Sequence, residues 1–259
     1  MRIRGRSISP GKARGEVLRL NGDLSFLGGV DGATGELKVY DGGNVAGRIL
    51  VFPKGKGSTV GSFTMYDLKV HGKQPAAIIN ETAETIVATG AVISSIPMVD
   101  LVDVDLLRTG DDVTVDGTNG IVEMNNVRTI SSVSSVILSE GKILMLRRPD
   151  TASSFPGMWS LVAGKIEASE DVNEAAVREI YEETKIRVSS PAASLDPMFV
   201  RERNIIWKVH PMLFVHDGKE VRLNSENTEY KWATPDETEN MDTVAGNVTA
   251  VRRLMSKIV

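Results

Sequence analysis

Along the first half of the chain, short apolar runs alternate with turn-forming residues. "RILVFP" (Arg48 to Pro53) and "PAAIIN" (Pro75 to Asn80) read as buried strands. Between them "TVGSFTMYDLKVHG" has helical spacing and offers Val60, Phe63, Met65 and Tyr66 to one broad face. "TAETIVATG" reads as a second short helix that stops at Gly90, followed by a strand in "AVISSIP". Strand, helix, strand, helix, strand predicts a partly parallel sheet with right-handed crossovers. "DDVTVDGTNGIVEM" then alternates on both sides of "DGTNG", the pattern of a hairpin.

After this hairpin the strand pattern restarts. "NNVRTISS" (Asn125 to Ser132) is polar and turn-prone and reads as a seam, and "SSVILSEGKILMLRRP" is a second hairpin turning at "EG". Two domains are therefore expected, residues 1–127 and 128–259. Further on, "VNEAAVREIYEETKI" has the period of an amphipathic helix, with Val172, Ala175, Ala176 and Ile180 facing inward.

The chain has 259 residues, 41% of them hydrophobic, enough for a core in each half. The formal charge is −4, and the residues up to Val127 carry 13 basic against 15 acidic side chains. Neither half is a basic arm, which argues against a nucleic-acid polymer as partner. Cysteine is absent, so disulfides, thiolate catalysis and cysteine-held zinc or iron–sulfur sites are excluded. No apolar run reaches membrane-spanning length and "MRIRGRSISPGKARG" lacks a signal-peptide core, so a cytoplasmic protein without membrane partners is expected.

Chemistry concentrates on the amphipathic helix. Glu179, Glu182 and Glu183 stand at i, i+3 and i+4, so their carboxylates are expected to converge on one side and to repel. Arg178 beside them can hold one or more by charge-assisted hydrogen bonds. Three hard oxygen donors on one patch suit Mg²⁺ or Mn²⁺. A solvated acidic helix face is the other reading of the same residues.

The fixed spacing favours the first reading. Gly164, Glu170, Arg178, Glu179, Ile180, Glu182, Glu183 and Ile186 are in register with the Nudix box, and the resemblance extends over roughly Thr129 to Val259. It implies an α/β/α sandwich and a hydrolase of a diphosphate-containing metabolite, nucleotide or prenyl diphosphate. It further implies Mg²⁺ or Mn²⁺ at Glu179, Glu182 and Glu183, which are also the catalytic residues, with Glu170 and the Gly164 carbonyl in support. Gly164, Arg178 and Arg147 are the implied substrate contacts, with Arg148 beside them. Glu226 and Glu229 are outside candidates for the base, and Trp159 is either core or a stacking platform. Lys185 stands where the box has a helix-ending glycine, so a shifted helix end is expected.

In the first half, "ILVFPKGKGSTVGS" is a strand entering a glycine-rich basic loop, with Lys54 and Lys56 beside amides able to hold an anion. A tight turn needing glycine is the competing explanation. With "SFLGGVD" (Ser25 to Asp31), "PAAII" and "GDDVTVDGTNGIV", the stretch resembles the aconitase X swivel domain, as in phosphomevalonate dehydratase small subunits, over about Arg4 to Val122. That resemblance implies a swivelling β/β/α fold and a separate aconitase X-type large subunit carrying the iron–sulfur cluster. It places the proton-accepting serine at Ser58, with Ser62 a weaker candidate and Gly57 and Thr59 as substrate contacts. The expected whole is a Nudix hydrolase fused to a dehydratase (hydro-lyase) small subunit. The alternative is a dehydratase subunit whose second domain is a non-catalytic diphosphate sensor.

Overall fold

In a computed structural model that describes residues 1–40, 42–218 and 220–258, the chain divides into two units, Met1–Arg128 and Thr129–Val259. In the first, the elements are β1 (Arg2–Arg4), β2 (Arg6–Ser9), β3 (Lys12–Arg19), a kinked turn α1 (Phe26–Gly29), β4 (Ile49–Lys54), α2 (Val60–Val70), β5 (Ala77–Thr82), α3 (Thr85–Ile93), β6 (Met98–Asp100), β7 (Asp112–Asp116) and β8 (Ile121–Met124). They form a mixed sheet in the order β1-β8-β7-β3-β4-β5-β6-β2. Strands β3 to β6 run parallel to one another, with α2 and α3 as the crossovers, as the alternation predicts. Strand β3 serves two partners: Lys12–Glu16 pair antiparallel with β7, and Val17–Arg19 pair parallel with β4. Ile49 to Phe52 are buried on both faces, as expected of a central parallel strand.

The structure differs from three of the sequence expectations. Helix α2 buries Gly61, Ser62, Met65 and Leu68, while Val60, Phe63 and Tyr66 face outward. The small residues decide the face, because they let α2 and α3 approach closely: a Cβ on Gly90 would lie 2.3 Å from Met65 Sδ. For the same reason Gly90 is a helix–helix contact and not a helix stop. Helix α3 continues to Ile93, and the strand expected in "AVISSIP" begins only at Met98. The polar seam is also shorter than expected, since the next strand starts at Arg128 and runs through "RTISS".

The second unit contains β9 (Arg128–Ser139), β10 (Lys142–Arg147), β11 (Trp159–Ser160), β12 (Val162–Lys165), α4 (Val172–Thr184), β13 (Ala193–Ser194), β14 (Met198–Glu202), β15 (Ile205–Val215), β16 (Glu229–Ala233), α5 (Pro235–Glu239) and α6 (Asn247–Met255). Strands β9 and β10 form the expected hairpin, with Glu140 and Gly141 both at positive φ as a two-residue turn requires. Alternation along β10 explains the layering. Leu144 and Leu146 join a core with Ala175, Ala176 and Ile180 of α4, whereas Ile143 and Met145 join one with Ala250, Val251 and Leu254 of α6. A sheet covered by a helix on each face is the α/β/α sandwich. Among the described residues, no helix is long and apolar enough to cross a membrane.

Candidate functional site

Helix α4 is held at its start by a capping box between Asp171 and Glu174. At its end Lys185 adopts the left-handed conformation itself (φ 61°), so the helix end is not shifted. The Lys185 ammonium and the Arg187 guanidinium lie 4.9 and 5.0 Å from the Tyr181 ring centroid. With the apolar stripe of α4 packed on β9, β10 and β12, its carboxylates are presented next to Gly164 of β12.

Arg178 is the centre of the cluster. Its guanidinium donates to Glu170 Oε1 (2.7 Å) and Oε2 (2.9 Å), to Glu179 Oε1 (2.9 Å), to Glu182 Oε2 (3.1 Å) and to the Lys165 carbonyl (3.0 Å). Glu170 is held below the usual carboxylate range by this pairing. Glu179 is pushed up by burial, against the pull of Arg178. A Cβ on Gly164 would lie 1.8 Å from Glu179 Cδ, so only glycine lets that carboxylate rest on the strand.

Glu183 departs from the expected convergence. It is 4% exposed, accepts from Asn227 Nδ2 (2.7 Å) and Ala163 N (3.3 Å), and is raised to about 8 by burial. Among the described residues no three acidic groups converge on one point, because Arg178 lies between Glu179 and Glu182 and Glu183 turns toward Asn227. The donor set nevertheless fits a hard divalent cation: it is all carboxylate oxygen and carries more negative charge than Arg178 neutralises. Glu183 in particular is a buried carboxylate with only neutral donors.

Glu179, Glu182 and Gly164 line a cavity of about 560 Å³, joined there by Glu226 from the loop before β16. Of the two arginines ending β10, Arg148 lines this cavity. Arg147, the one expected to touch substrate, pairs with Glu229 at 2.7 Å, and neither residue is among those lining this cavity. Trp159 packs against the α6-side core. The aromatic groups of the cavity are Trp207 and Phe155, which the motif reading missed. Two polar atoms at the wall have no hydrogen-bond partner among the described residues, Asn247 Nδ2 and Ser134 Oγ, in side chains 8% and 3% exposed. Neither residue belongs to a motif; the sole hint for Asn247 is its place after Gly246 at a helix start.

In the first unit, Ser58 and Thr59 are exposed on the loop from β4 to α2. Gly57 has a φ of 114°, and a Cβ there would lie 2.8 Å from Ser25 Oγ, which brings the two glycine-rich loops together. The Gly61 and Ser62 amides donate to the Ser58 and Thr59 carbonyls, so the loop uses those amides itself. Ser62 is buried and its hydroxyl donates to the Thr59 carbonyl (2.7 Å), whereas Ser58 is exposed. Lys54 and Lys56 are exposed, and Lys56 lines a second cavity with Ser25 and Gly28.

Comparison with known proteins assigns each half. Residues 2–124 match the family model of the aconitase X swivel domain, and residues 128–254 match that of the NUDIX domain. Over 128 residues the chain is 56% identical to the phosphomevalonate dehydratase small subunit of Thermococcus kodakarensis, covering 48% of this chain and 96% of that protein. Among solved structures, Thermococcus kodakaraensis aconitase X (holo-form) is 54% identical, covering 48% of this chain and 98% of that one, with a TM-score of 0.47. A MutT protein from Methanosarcina mazei is 25% identical, covering 52% and 98%, with a TM-score of 0.46.

Proposed function

Because the chain belongs to the aconitase X swivel-domain family over residues 2–124 and carries a NUDIX domain over residues 128–254, we propose that it joins two activities: hydrolysis of a nucleoside diphosphate linkage, and the small-subunit share of a dehydratase. The observation that carries the hydrolase reading is the meeting of Glu179, Glu182, Gly164 and Glu226 at one wall of a cavity.

Mg²⁺ or Mn²⁺ would be held by Glu179, Glu182 and Glu183, with the Gly164 carbonyl in support. When bound it supplies charge neutralisation of the diphosphate and polarisation of its phosphoryl oxygens. Arg148 and Lys165 bring positive charge to the same cavity. Arg178 keeps Glu170, Glu179 and Glu182 in place through its five hydrogen bonds. A water attacks phosphorus, the phosphorus–oxygen bond to the leaving phosphate breaks, and the water's proton passes to a carboxylate. Glu179, raised by burial, and Glu226, facing it from another segment, are the acceptors in reach.

The aromatic lining favours one substrate class. Trp207 and Phe155 line the cavity and offer a nucleobase ring faces to stack on, a contact that a prenyl chain would use less well. A non-catalytic sensor is not favoured, since Glu170, Glu179, Glu182 and Glu183 of the box are all present and Glu179 and Glu182 line the cavity. A screen of phosphate and pyrophosphate release across nucleoside triphosphates, dinucleotides and prenyl diphosphates tests this choice. Faster turnover of a prenyl diphosphate than of any nucleotide would overturn it.

For the first domain the proposal is a proton-accepting role for Ser58 beside a separate aconitase X-type large subunit. This chain has no cysteine, so any cysteine-ligated iron–sulfur cluster has to be carried by that partner.

A further inference from the structure

Resting on the hydrolase reading above, we propose that Asn227 is a positioning residue that fixes the Glu183 carboxylate and, through it, holds Glu226 in the cavity wall. Neighbours in sequence, Asn227 and Glu226 face opposite ways: Asn227 is 8% exposed and points at α4, while Glu226 lines the cavity. The Asn227 amide donates to Glu183 Oε2 at 2.7 Å across 44 residues of sequence. With Ala163 N on Oε1, each oxygen of Glu183 receives one donor, which leaves the carboxylate a single orientation.

The segment around Asn227 packs Leu223 against the α4 core, and within it Asn224 Nδ2 donates weakly to Glu226 Oε1 (3.4 Å). Its backbone is tied to α4 by Arg222 N to the Thr184 carbonyl (2.9 Å) and Asn224 N to the Glu183 carbonyl (3.3 Å). It is tied to β10 by Thr228 N to the Arg147 carbonyl (2.9 Å). Between these ties Glu226 N donates to Asn224 Oδ1 (3.0 Å), a bond within the loop itself. Among the described residues of this stretch, Asn227 is the side chain that hydrogen-bonds to the helix bearing the other carboxylates. An aspartate there would set two carboxylates against each other, and an alanine would strand a buried oxygen of Glu183.

Hydrogen-bonded support behind a ligating carboxylate commonly accounts for about 10- to 100-fold in metal affinity. The test is Mn²⁺ binding to the full chain by calorimetry, alongside hydrogen exchange of the 222–228 amides and a kcat and KM determination. Asn227→Leu, close in volume but without a donor, should weaken Mn²⁺ binding by about that 10- to 100-fold factor, speed exchange in the loop, and lower kcat more than it changes KM. Asn227→Ser, which keeps a donor, should recover part of the affinity, and it carries the test if the leucine variant does not fold. Unchanged Mn²⁺ affinity in a folded Asn227→Leu variant overturns the proposal, even if its melting temperature falls. If the unsubstituted chain binds no Mn²⁺ at all, the hydrolase reading itself fails and this proposal with it.

Discussion

Gly164 and Glu179 share space that any other residue at position 164 would take: a Cβ there would lie 1.8 Å from Glu179 Cδ and 1.9 Å from Oε1. The contact joins the strand leading into the box to the first glutamate of the helix. Gly164→Ala should therefore displace the carboxylate more than the fold, since the colliding group is the free end of a side chain. Hydrolysis should fall by about 100-fold, the cost of misplacing a reacting group by about 1 Å, with little change in melting temperature. Equal kinetics in the alanine variant would show that the position of Glu179 does not matter.

Glu183 predicts a pH dependence of stability. Its folded value is about 8 against an ordinary 4.5. Between those values the folded domain keeps a proton that the unfolded chain has released, so metal-free stability is lost as pH rises through this window. Glu183→Gln removes that slope. The melting-temperature difference between the variant and the unsubstituted chain should therefore be larger near about pH 8 than near about pH 5.5. A difference that stays flat between the two would contradict the burial argument.

Lys185→Gly should leave the melting temperature unchanged or raise it by about 1–3 °C. Relief of a left-handed lysine is worth about 1 kcal/mol. Against it stands the loss of an exposed cation–π contact worth roughly 0.5 kcal/mol, and Arg187 remains over the Tyr181 ring. Differential scanning calorimetry decides it, and a clear drop would mean that the ring contact outweighs the backbone strain.

Much of the fold was legible because it rests on local periodicity. The β9–β10 hairpin, the strand–helix alternation from β4 to α3 and the inward stripe of α4 follow from spacing alone, whereas β6 lies just beyond the segment expected to form it. Helix α2 did not, because it is apolar on two faces. Gly61, Ser62, Met65 and Leu68 won the interior through their fit against α3, although Phe63 is the more hydrophobic residue. The acidic half of the site was legible from the box. Trp207, Asn227 and Asn247 were not, since each is a single residue, on β15, the loop before β16 and the start of α6, brought to the cavity or to α4 by tertiary packing. Arg147 and Arg148 are adjacent, and only the pairing of Arg147 with Glu229 shows which of them is left to the cavity.

Ser58→Ala tests the first domain. Co-expression with an aconitase X large subunit should give a complex with dehydratase activity. The substitution should cut that rate by about 10²- to 10⁴-fold, the usual contribution of a positioned proton acceptor. Hydrolysis by the second domain should be untouched. Failure of the two proteins to associate, or full dehydration by the Ser58→Ala complex, would refute the role given to this loop.

The glutamates of α4 are expected to perform hydrolysis of a diphosphate linkage. The most direct measurement is the rate of nucleotide hydrolysis in Mg²⁺ by the Glu182→Gln/Glu183→Gln double variant against the unsubstituted chain, with circular dichroism to verify the fold. A loss of about a thousand-fold, roughly 4 kcal/mol of transition-state stabilisation, is expected in a folded protein. Equal rates in the two proteins would contradict it.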